Sequence, residues 1–259
     1  MLRNLIRFPI LKRWAPSIGI RVLKLLKRNK GFYKINNILF YLDFLDPIDR
    51  KIILYKEYEH DAVSFLEEKF TKHSISNFLD IGANSGYFSF YFANKFNNLK
   101  VKAFEPNIDA FEKFKKTLIK NSFDDVEIFN YGLSDIEKKV KMITWYKHGH
   151  AKTNLVILED HFNTNNSKIY ETDLKVGDEV LNFKNEKLCI KIDVEGHEYN
   201  VIQGLKNLLK ENKVILQIEI ENKNFKKTDN FLNDIGYKTF NKFMGRGKWI
   251  SNFYYKNFK

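Results

Sequence analysis

Residues 78–86, FLDIGANSG, decide the fold, because a run of apolar residues leads directly into a glycine turn. The apolar run ending at Asp80 predicts a buried strand, and the residues after Gly86 predict a helix. Gly82 and Gly86 carry no side chain that would hold a ligand away from the backbone, and the first amides of the helix would face that ligand. The pattern is typical of a nucleotide-like cofactor site, although its spacing is not the dinucleotide GxGxxG.

Strand and helix patterns alternate along the rest of the chain. Residues 132–143 predict a hairpin, residues 145–168 an irregular polar loop, and the carboxyl end two strands without a helix between them. The strands are predicted over 77–81, 100–104, 126–130, 188–194 and 213–220, and the helices over 86–97, 107–121, 197–211 and 225–235. This order predicts an α/β fold with a doubly wound, mostly parallel sheet and an antiparallel last strand.

The region before the first core strand predicts a cap on the main sheet. Residues 32–42 indicate a hairpin, Pro47 marks a break, and residues 51–70 carry the apolar spacing of one helix. The predicted organisation is a basic amphipathic leader (1–30), a hairpin and helix cap (31–76) and a core domain (77–259).

The net charge of +12 is concentrated in the leader. Residues 1–30 contain nine Lys or Arg and no acidic residue, and subtracting these nine from +12 leaves +3 for the rest. Ile18, Val22, Leu25 and Leu26 would share one face of a helix. We expect an amphipathic basic helix, which either packs on its own domain or lies on an anionic membrane surface.

Cys189 lies in an apolar run and predicts a core position, because a single cysteine cannot form an intramolecular disulfide. No run of residues approaches the roughly 18 to 20 apolar residues of a membrane span. We therefore expect a cytoplasmic protein, with peripheral contact at the inner membrane face left open. The oligomeric state is not indicated.

Glu105 ends the second predicted core strand, 19 residues beyond Gly86. A carboxylate there can accept hydrogen bonds from the two ribose hydroxyls of an adenosine moiety. Pro106 follows and pre-sets the start of the next helix, which fixes Glu105 at the carboxyl end of the strand. The alternative is a helix-capping or surface glutamate.

The segment CIKIDVEGHE, residues 189–198, places charges in a strand that should be apolar on both faces. By the strand period, Lys191, Asp193 and Glu195 would project to one side, which suggests an active-site wall. His197 follows at the next helix start and has a pKa suited to a general base. A structural Lys191–Asp193 pair and a capping histidine are the alternatives.

A third segment, LQIEIEN, residues 216–222, ends the next strand with Glu219 and Glu221 expected to face the same way. Asp193, Glu221 and Asn222 would offer oxygen ligands suited to magnesium. Hydrogen bonding or a solvated strand end is the preferred interpretation, so the metal prediction is weak.

Three ordered segments, FLDIGANSGYFS, KAFEPNIDAFEKFKKTLIKN and CIKIDVEGHEYNVIQGL, resemble the FkbM family of S-adenosylmethionine-dependent methyltransferases. The resemblance covers residues 32–221 and includes NYGLSD at 130–135. It implies a Rossmann-like class I methyltransferase that methylates a hydroxyl of a sugar, glycan or small metabolite. It assigns cofactor contacts to Asp80, Gly82, Asn84 and Gly86, to Glu105 at the ribose, and to Asn130 beside the adenine.

Methyl transfer from a sulfonium needs alignment of the acceptor and removal of its proton. The candidates for the base are His197 first and then Asp193, with Lys191 as a base or as their partner.

Nucleic-acid methylation is the first alternative function, but the chain has no NPPY-type motif and Cys189 lacks a preceding proline. The second is a nicotinamide oxidoreductase, which the missing third glycine disfavours.

Overall fold

The computed structural model describes residues 29–147, 150–151, 156–157, 163–165, 167–244 and 250–258. The predicted leader, apart from residues 29 and 30, and much of the loop predicted over 145–168 lie outside this part. The first half of the chain forms β1 (Lys30–Ile35), β2 (Ile38–Asp43), α1 (Pro47–Tyr55), α2 (His60–His73), β3 (Asn77–Ile81), α3 (Tyr87–Lys95), β4 (Lys100–Phe104), α4 (Ile108–Asn121), β5 (Val126–Phe129), β6 (Gly132–Ser134) and β7 (Lys138–Lys147). The second half forms β8 (His150–Ala151), β9 (Val156–Ile157), β10 (Ser167–Val176), α5 (Gly177–Val180), β11 (Lys187–Ile192), α6 (Glu198–Gly204), α7 (Lys206–Glu211), β12 (Lys213–Glu221), α8 (Asn222–Asp234), β13 (Lys238–Met244) and β14 (Ile250–Lys256).

A seven-stranded sheet in the order β13-β14-β12-β11-β3-β4-β5 forms the centre of the molecule. The pairs from β12 to β5 are parallel, whereas β14 runs antiparallel to both β12 and β13. All five residues of β3 are buried, as expected for a strand covered on both faces. The predicted doubly wound fold with an antiparallel last strand is confirmed.

Two apolar clusters lie on opposite faces of this sheet. Along β11, Cys189 belongs to the cluster beneath α2, α3 and the cap, while Ile190 belongs to the cluster beneath α6, α7 and α8. This alternation follows from the strand period. Cys189 is buried and unpaired, in agreement with the predicted core position.

The cap is a hairpin followed by two helices. Asn36 and Asn37 have φ of 49° and 67°, which suits a two-residue turn, so the predicted hairpin is confirmed. The single helix predicted over 51–70 is wrong: α1 ends at Tyr55, because Lys56 and Glu59 are left-handed, with φ of 61° and 47°. Pro47 occupies the first turn of α1, which Asp46 caps.

A smaller sheet, ordered β6-β10-β7-β8 with β9 beside β7, covers one edge of the core. The predicted 132–143 hairpin is wrong, since β6 and β7 both pair with β10 rather than with each other. Strand β7 continues to Lys147, so the irregular loop begins later than predicted.

The helix predicted over 197–211 is divided at Leu205. Within the described ranges, no helix is long and apolar enough to cross a membrane.

Candidate functional site

The turn after β3 is held by close backbone contacts. Gly82 and Ala83 donate their N–H groups to the carbonyl of Phe104, at 2.9 and 3.1 Å. Gly82 has φ of 82°, and a Cβ there would lie 1.9 Å from the carbonyl oxygen of Asp193. The absence of a side chain thus lets this turn pack directly on the chain that leaves β11.

Asp80 lies beneath this turn and is almost completely buried. Its Oδ2 accepts a 2.6 Å hydrogen bond from the hydroxyl of Ser89, whereas its Oδ1 has no hydrogen-bond partner among the described residues. Burial raises the pKa of Asp80, and the neighbouring Lys191 opposes that rise. A buried carboxylate oxygen without a partner is costly, so the site is consistent with a ligand that supplies a donor, directly or through water.

Glu105 fixes the geometry at the end of β4. Its two carboxylate oxygens accept hydrogen bonds from the backbone N–H groups of Asn84 and Asn107, at 2.7 and 2.8 Å. Burial raises the pKa of Glu105 to about 7, although these hydrogen bonds lower it. Each oxygen retains a further lone pair, so Glu105 could accept ribose hydroxyls while holding both turns. Asn84 contributes to this geometry through its backbone N–H rather than its side chain, and its φ of 51° lies in the left-handed region.

Asn130, the residue after β5, stabilises the same corner. Its side-chain nitrogen donates to the carbonyls of Glu105 and Pro106, at 2.8 and 3.3 Å. It is absent from the linings of the two cavities described below. The predicted contact with adenine thus stays a prediction, and the observed contacts make Asn130 a positioning residue for Glu105.

Two adjoining cavities, of about 690 and 460 Å³, open at the carboxyl end of the parallel strands. They share Gly82, Pro106, Met142, Val194 and Glu195, so one groove passes over the glycine turn. The first cavity extends beneath the cap to Lys191 and Glu219, and the second reaches His197. Cofactor sites of this fold class lie at this edge of the sheet.

Lys191 and Asp193 form the predicted charged wall of the first cavity. The Lys191 Nζ lies 3.1 Å from Asp193 Oδ2 and 5.0 Å from the ring centroid of Phe88. Burial lowers the pKa of Lys191, but Asp193, Asp80 and Glu59 raise it further, to above its usual value. The raised pKa and the 3.1 Å contact favour Lys191 as a cation that positions Asp193 over Lys191 as a base.

Glu219 completes this wall from the neighbouring β12. Burial raises its pKa to about 8, and the negative charges of Asp193 and Glu59 contribute to the rise. The sequence showed Glu219 at a strand end without assigning it to the site. Glu59 was missed entirely: it lines the first cavity from the left-handed turn between α1 and α2, where no sequence signal marks a turn.

His197 lies in the second cavity, apart from this acidic group. Its Nε2 is 2.9 Å from the hydroxyl oxygen of Ser134, and burial lowers its pKa. Strand β11 ends at Ile192 rather than at 194 as predicted, and Glu195 and Gly196 then take φ of 53° and 101°. The alternation of side chains between the two faces of the strand therefore stops before His197.

The two weak metal candidates line different cavities. Asp193 faces the first, whereas Glu221 lines the second and pairs with Lys223 at 2.7 Å. Glu219 and Glu221 therefore line different cavities, although the strand period predicted that they face the same way. Across the described ranges, no three His, Cys, Asp or Glu side chains are grouped to hold a metal.

Glu198 is a further buried carboxyl group that the sequence analysis missed. Its Oε1 accepts a hydrogen bond from the Gly196 N–H at 2.7 Å, and burial raises its pKa to about 7. This bond shapes the turn between β11 and α6, so Glu198 acts as a positioning residue.

The central parallel sheet, its glycine turn and the antiparallel β14 define a class I methyltransferase fold. A family model described as the methyltransferase FkbM domain matches residues 80–239, which is more than half of the chain. The chain belongs to this family and is a methyltransferase that depends on S-adenosylmethionine. The resemblance seen in the sequence is confirmed.

Solved structures with a similar fold are distant in sequence. A precorrin-6y C5,15-methyltransferase from Geobacter metallireducens is 14% identical, with a TM-score of 0.42 over 70% of this chain and 79% of that chain. A putative methylase from Haemophilus influenzae is 13% identical, with a TM-score of 0.47 over 77% and 98%. A ribosomal protein L11 methylase from Lactobacillus delbrueckii is 13% identical, with a TM-score of 0.46 over 78% and 80%. No curated protein matches the chain.

The raised pKa of Glu105 gives an expected pH dependence of cofactor binding. Only the ionised carboxylate has both oxygens free to accept ribose hydroxyls, and burial raises its pKa to about 7. We expect the affinity for S-adenosylhomocysteine, measured by calorimetry, to rise about tenfold from pH 6 to pH 8. Glu105→Gln should bind more weakly with a flatter pH profile, and an unchanged profile would refute the assignment.

Proposed function

We propose that the protein transfers the methyl group of S-adenosylmethionine to a hydroxyl oxygen of a sugar, glycan or small metabolite. The observation that carries this proposal is the carboxyl pair Asp193 and Glu219 in the first cavity, next to the Gly82 turn. Paired carboxyl groups suit removal of a proton from a hydroxyl and hydrogen bonding to its neighbours.

The residues present fit the cofactor along the groove. The partnerless Asp80 oxygen and the Gly82 turn would lie at the methionine part, and Glu105 at the ribose. The second cavity, with Pro106, Leu133 and Val194 in its lining, would take the adenine. This placement puts His197 beside the adenine. The bound sulfonium supplies the reactive methyl group, and the chain supplies alignment and proton removal.

The base in this proposal is the Asp193–Glu219 pair. The Lys191 Nζ lies 3.1 Å from Asp193 Oδ2 and orients that carboxyl group. Burial, together with the negative charge of Asp193, raises the pKa of Glu219 to about 8. The acceptor hydroxyl would give its proton to this pair as its oxygen attacks the methyl carbon. His197, whose ring bonds to Ser134 in the other cavity, is then not the base.

The cap would supply part of the acceptor site. Tyr58 and Glu59 line the first cavity from the turn between α1 and α2. Eight acidic and four lysine side chains line this cavity in total. An acidic surface repels phosphate, which favours a neutral polyhydroxyl acceptor over the nucleic-acid alternative.

Ligand binding followed by a transfer assay tests the proposal. S-Adenosylhomocysteine should raise the Tm by several degrees, whereas NAD and NADP should leave it unchanged. Transfer of labelled methyl from S-adenosylmethionine should then occur to glycans, lipid-linked sugars or small hydroxylated metabolites. Stabilisation by NAD alone would contradict the cofactor assignment. Transfer to RNA but not to any hydroxylated metabolite would contradict the acceptor class.

A further inference from the structure

The outer face of the β1–β2 hairpin combines exposed aromatic rings with lysines. Phe32 is 45% exposed, and its ring packs edge-on against Tyr41 of the neighbouring strand. Lys116 and Lys120 of α4 reach over these rings, with Nζ 4.4 Å from the centroid of Tyr41 and 5.7 Å from that of Phe32. Lysine stems over exposed rings present apolar surface and positive charge together.

The hairpin and α4 form one rigid surface. The backbone N–H of Tyr41 donates to the Thr117 hydroxyl, and that of Leu39 donates to the Asn121 side chain, both at 2.9 Å. These bonds pair the edge of β2 with α4, so the two elements cannot separate without losing them. Ile119, beside Lys120 on the helix, is 69% exposed.

We define the basic-aromatic face by the residues that these two elements expose together. Its members are Lys30, Phe32, Lys34, Tyr41, Lys116, Ile119 and Lys120. Three acidic side chains accompany these four lysines: Asp43, which contacts Asn29 and Lys30, Glu112, one turn before Lys116, and Asp109, whose charge interacts with that of Lys30. The face therefore retains a net positive charge.

The sequence adds charge at one end of this face. Residues 1–28 contain eight Lys or Arg and no acidic residue, and they join the hairpin at Asn29. Subtracting these eight from the net +12 leaves +4 for residues 29–259, and the first cavity is acidic. The sequence thus adds basic residues next to a face whose own net charge is positive.

We propose that the basic-aromatic face binds the surface of an anionic lipid bilayer. Charge complementarity to acidic headgroups and partial insertion of Phe32 and Ile119 suit such a surface, whereas an apolar protein groove would leave the lysines unpaired. Asn29, Lys30 and Asp43 also line one end of the first cavity. Binding would therefore place the groove near lipid-linked acceptors, a consequence that rests on the proposed function.

Vesicle sedimentation of the full chain tests this proposal. We expect binding to vesicles with about 30% phosphatidylserine, little binding to pure phosphatidylcholine, and a loss of binding at high salt. Each lysine near the surface contributes about fivefold in affinity. The charge-reversal variant K34E/K116E/K120E should bind at least about 30-fold more weakly, and Phe32→Ser should weaken binding further.

The matched control is K206E/K210E/K238E, which changes net charge equally at exposed lysines on α7 and β13. Equal loss in this control would show that total charge, not the face, is responsible, and would overturn the proposal. Tighter binding of the wild type to RNA than to the anionic vesicles would also overturn it. The affinity for S-adenosylhomocysteine should be unchanged in both triple variants. This measurement distinguishes a failure of the membrane-binding proposal from a failure of the proposed methyl transfer.

Discussion

Asp193→Asn is expected to lower kcat by about 10²- to 10⁴-fold, the usual contribution of a general base. The amide keeps the size of the carboxylate and can still accept a hydrogen bond from Lys191, so the cavity should keep its shape. It cannot take a proton from the acceptor. Affinity for S-adenosylhomocysteine, measured by calorimetry, should stay within about threefold of the wild type. Single-turnover transfer assays at saturating substrates would measure the chemical step directly.

The control for this experiment is His197→Gln. In the proposed arrangement His197 borders the adenine, so its replacement should raise the KM for S-adenosylmethionine while kcat falls by less than about fivefold. The opposite pattern, with kcat lost in His197→Gln and retained in Asp193→Asn, would assign the base to His197. Glu219→Gln gives a third comparison, because removing the repulsion between the carboxylates should shift the pH profile of kcat.

Sequence patterns were sufficient to predict the core of the fold. The apolar run of β3, the glycine turn after it and Glu105 at the end of β4 are local features, and each lies where it was predicted. Adjacent parallel strands then bring these residues to one edge of the sheet by necessity. The position of the groove that we propose for the cofactor therefore followed from a few residues.

Other features depend on contacts that the sequence does not show. The chain turns at Lys56 and Glu59 without glycine or proline, so the interruption between α1 and α2 had no signal. Pairing of β6 with β10 joins segments about 40 residues apart and cannot be read from local periodicity. The same holds for Glu59, which enters the first cavity only because the cap folds over the core.

A buried ion pair attaches this cap to the core. Lys113 of α4 donates to Asp49 Oδ2 at 2.6 Å and to Asp46 Oδ2 at 3.2 Å, and Asp49 is fully buried. The backbone N–H of Asp43 also donates to Asp49. Burial lowers the pKa of Lys113, but Asp49 and Asp46 raise it further, so the lysine is a cation.

Lys113→Met should therefore lower the free energy of unfolding by about 3 to 5 kcal/mol, because it leaves Asp49 buried without its cation. Urea denaturation would measure the loss. Lys102→Met is the matched control: Lys102 pairs with Glu127 at the same 2.6 Å but near the surface, so its loss should cost less than about 1 kcal/mol. Similar losses in the two variants would contradict a structural role for the buried pair.

The double variant Asp49→Asn/Lys113→Met distinguishes an unpaired charge from lost packing. Burial raises the pKa of Asp49 to about 6 even with Lys113 present, and without Lys113 that pKa should rise further. A group whose pKa is raised on folding adds relative stability at low pH, which is lost as the pH rises through the folded value. Lys113→Met should thus lose most stability above pH 6, and the neutral asparagine should restore much of it.

Because Asp46 and Lys113 also line the first cavity, loosening the cap should weaken acceptor binding before it affects binding at the Gly82 turn.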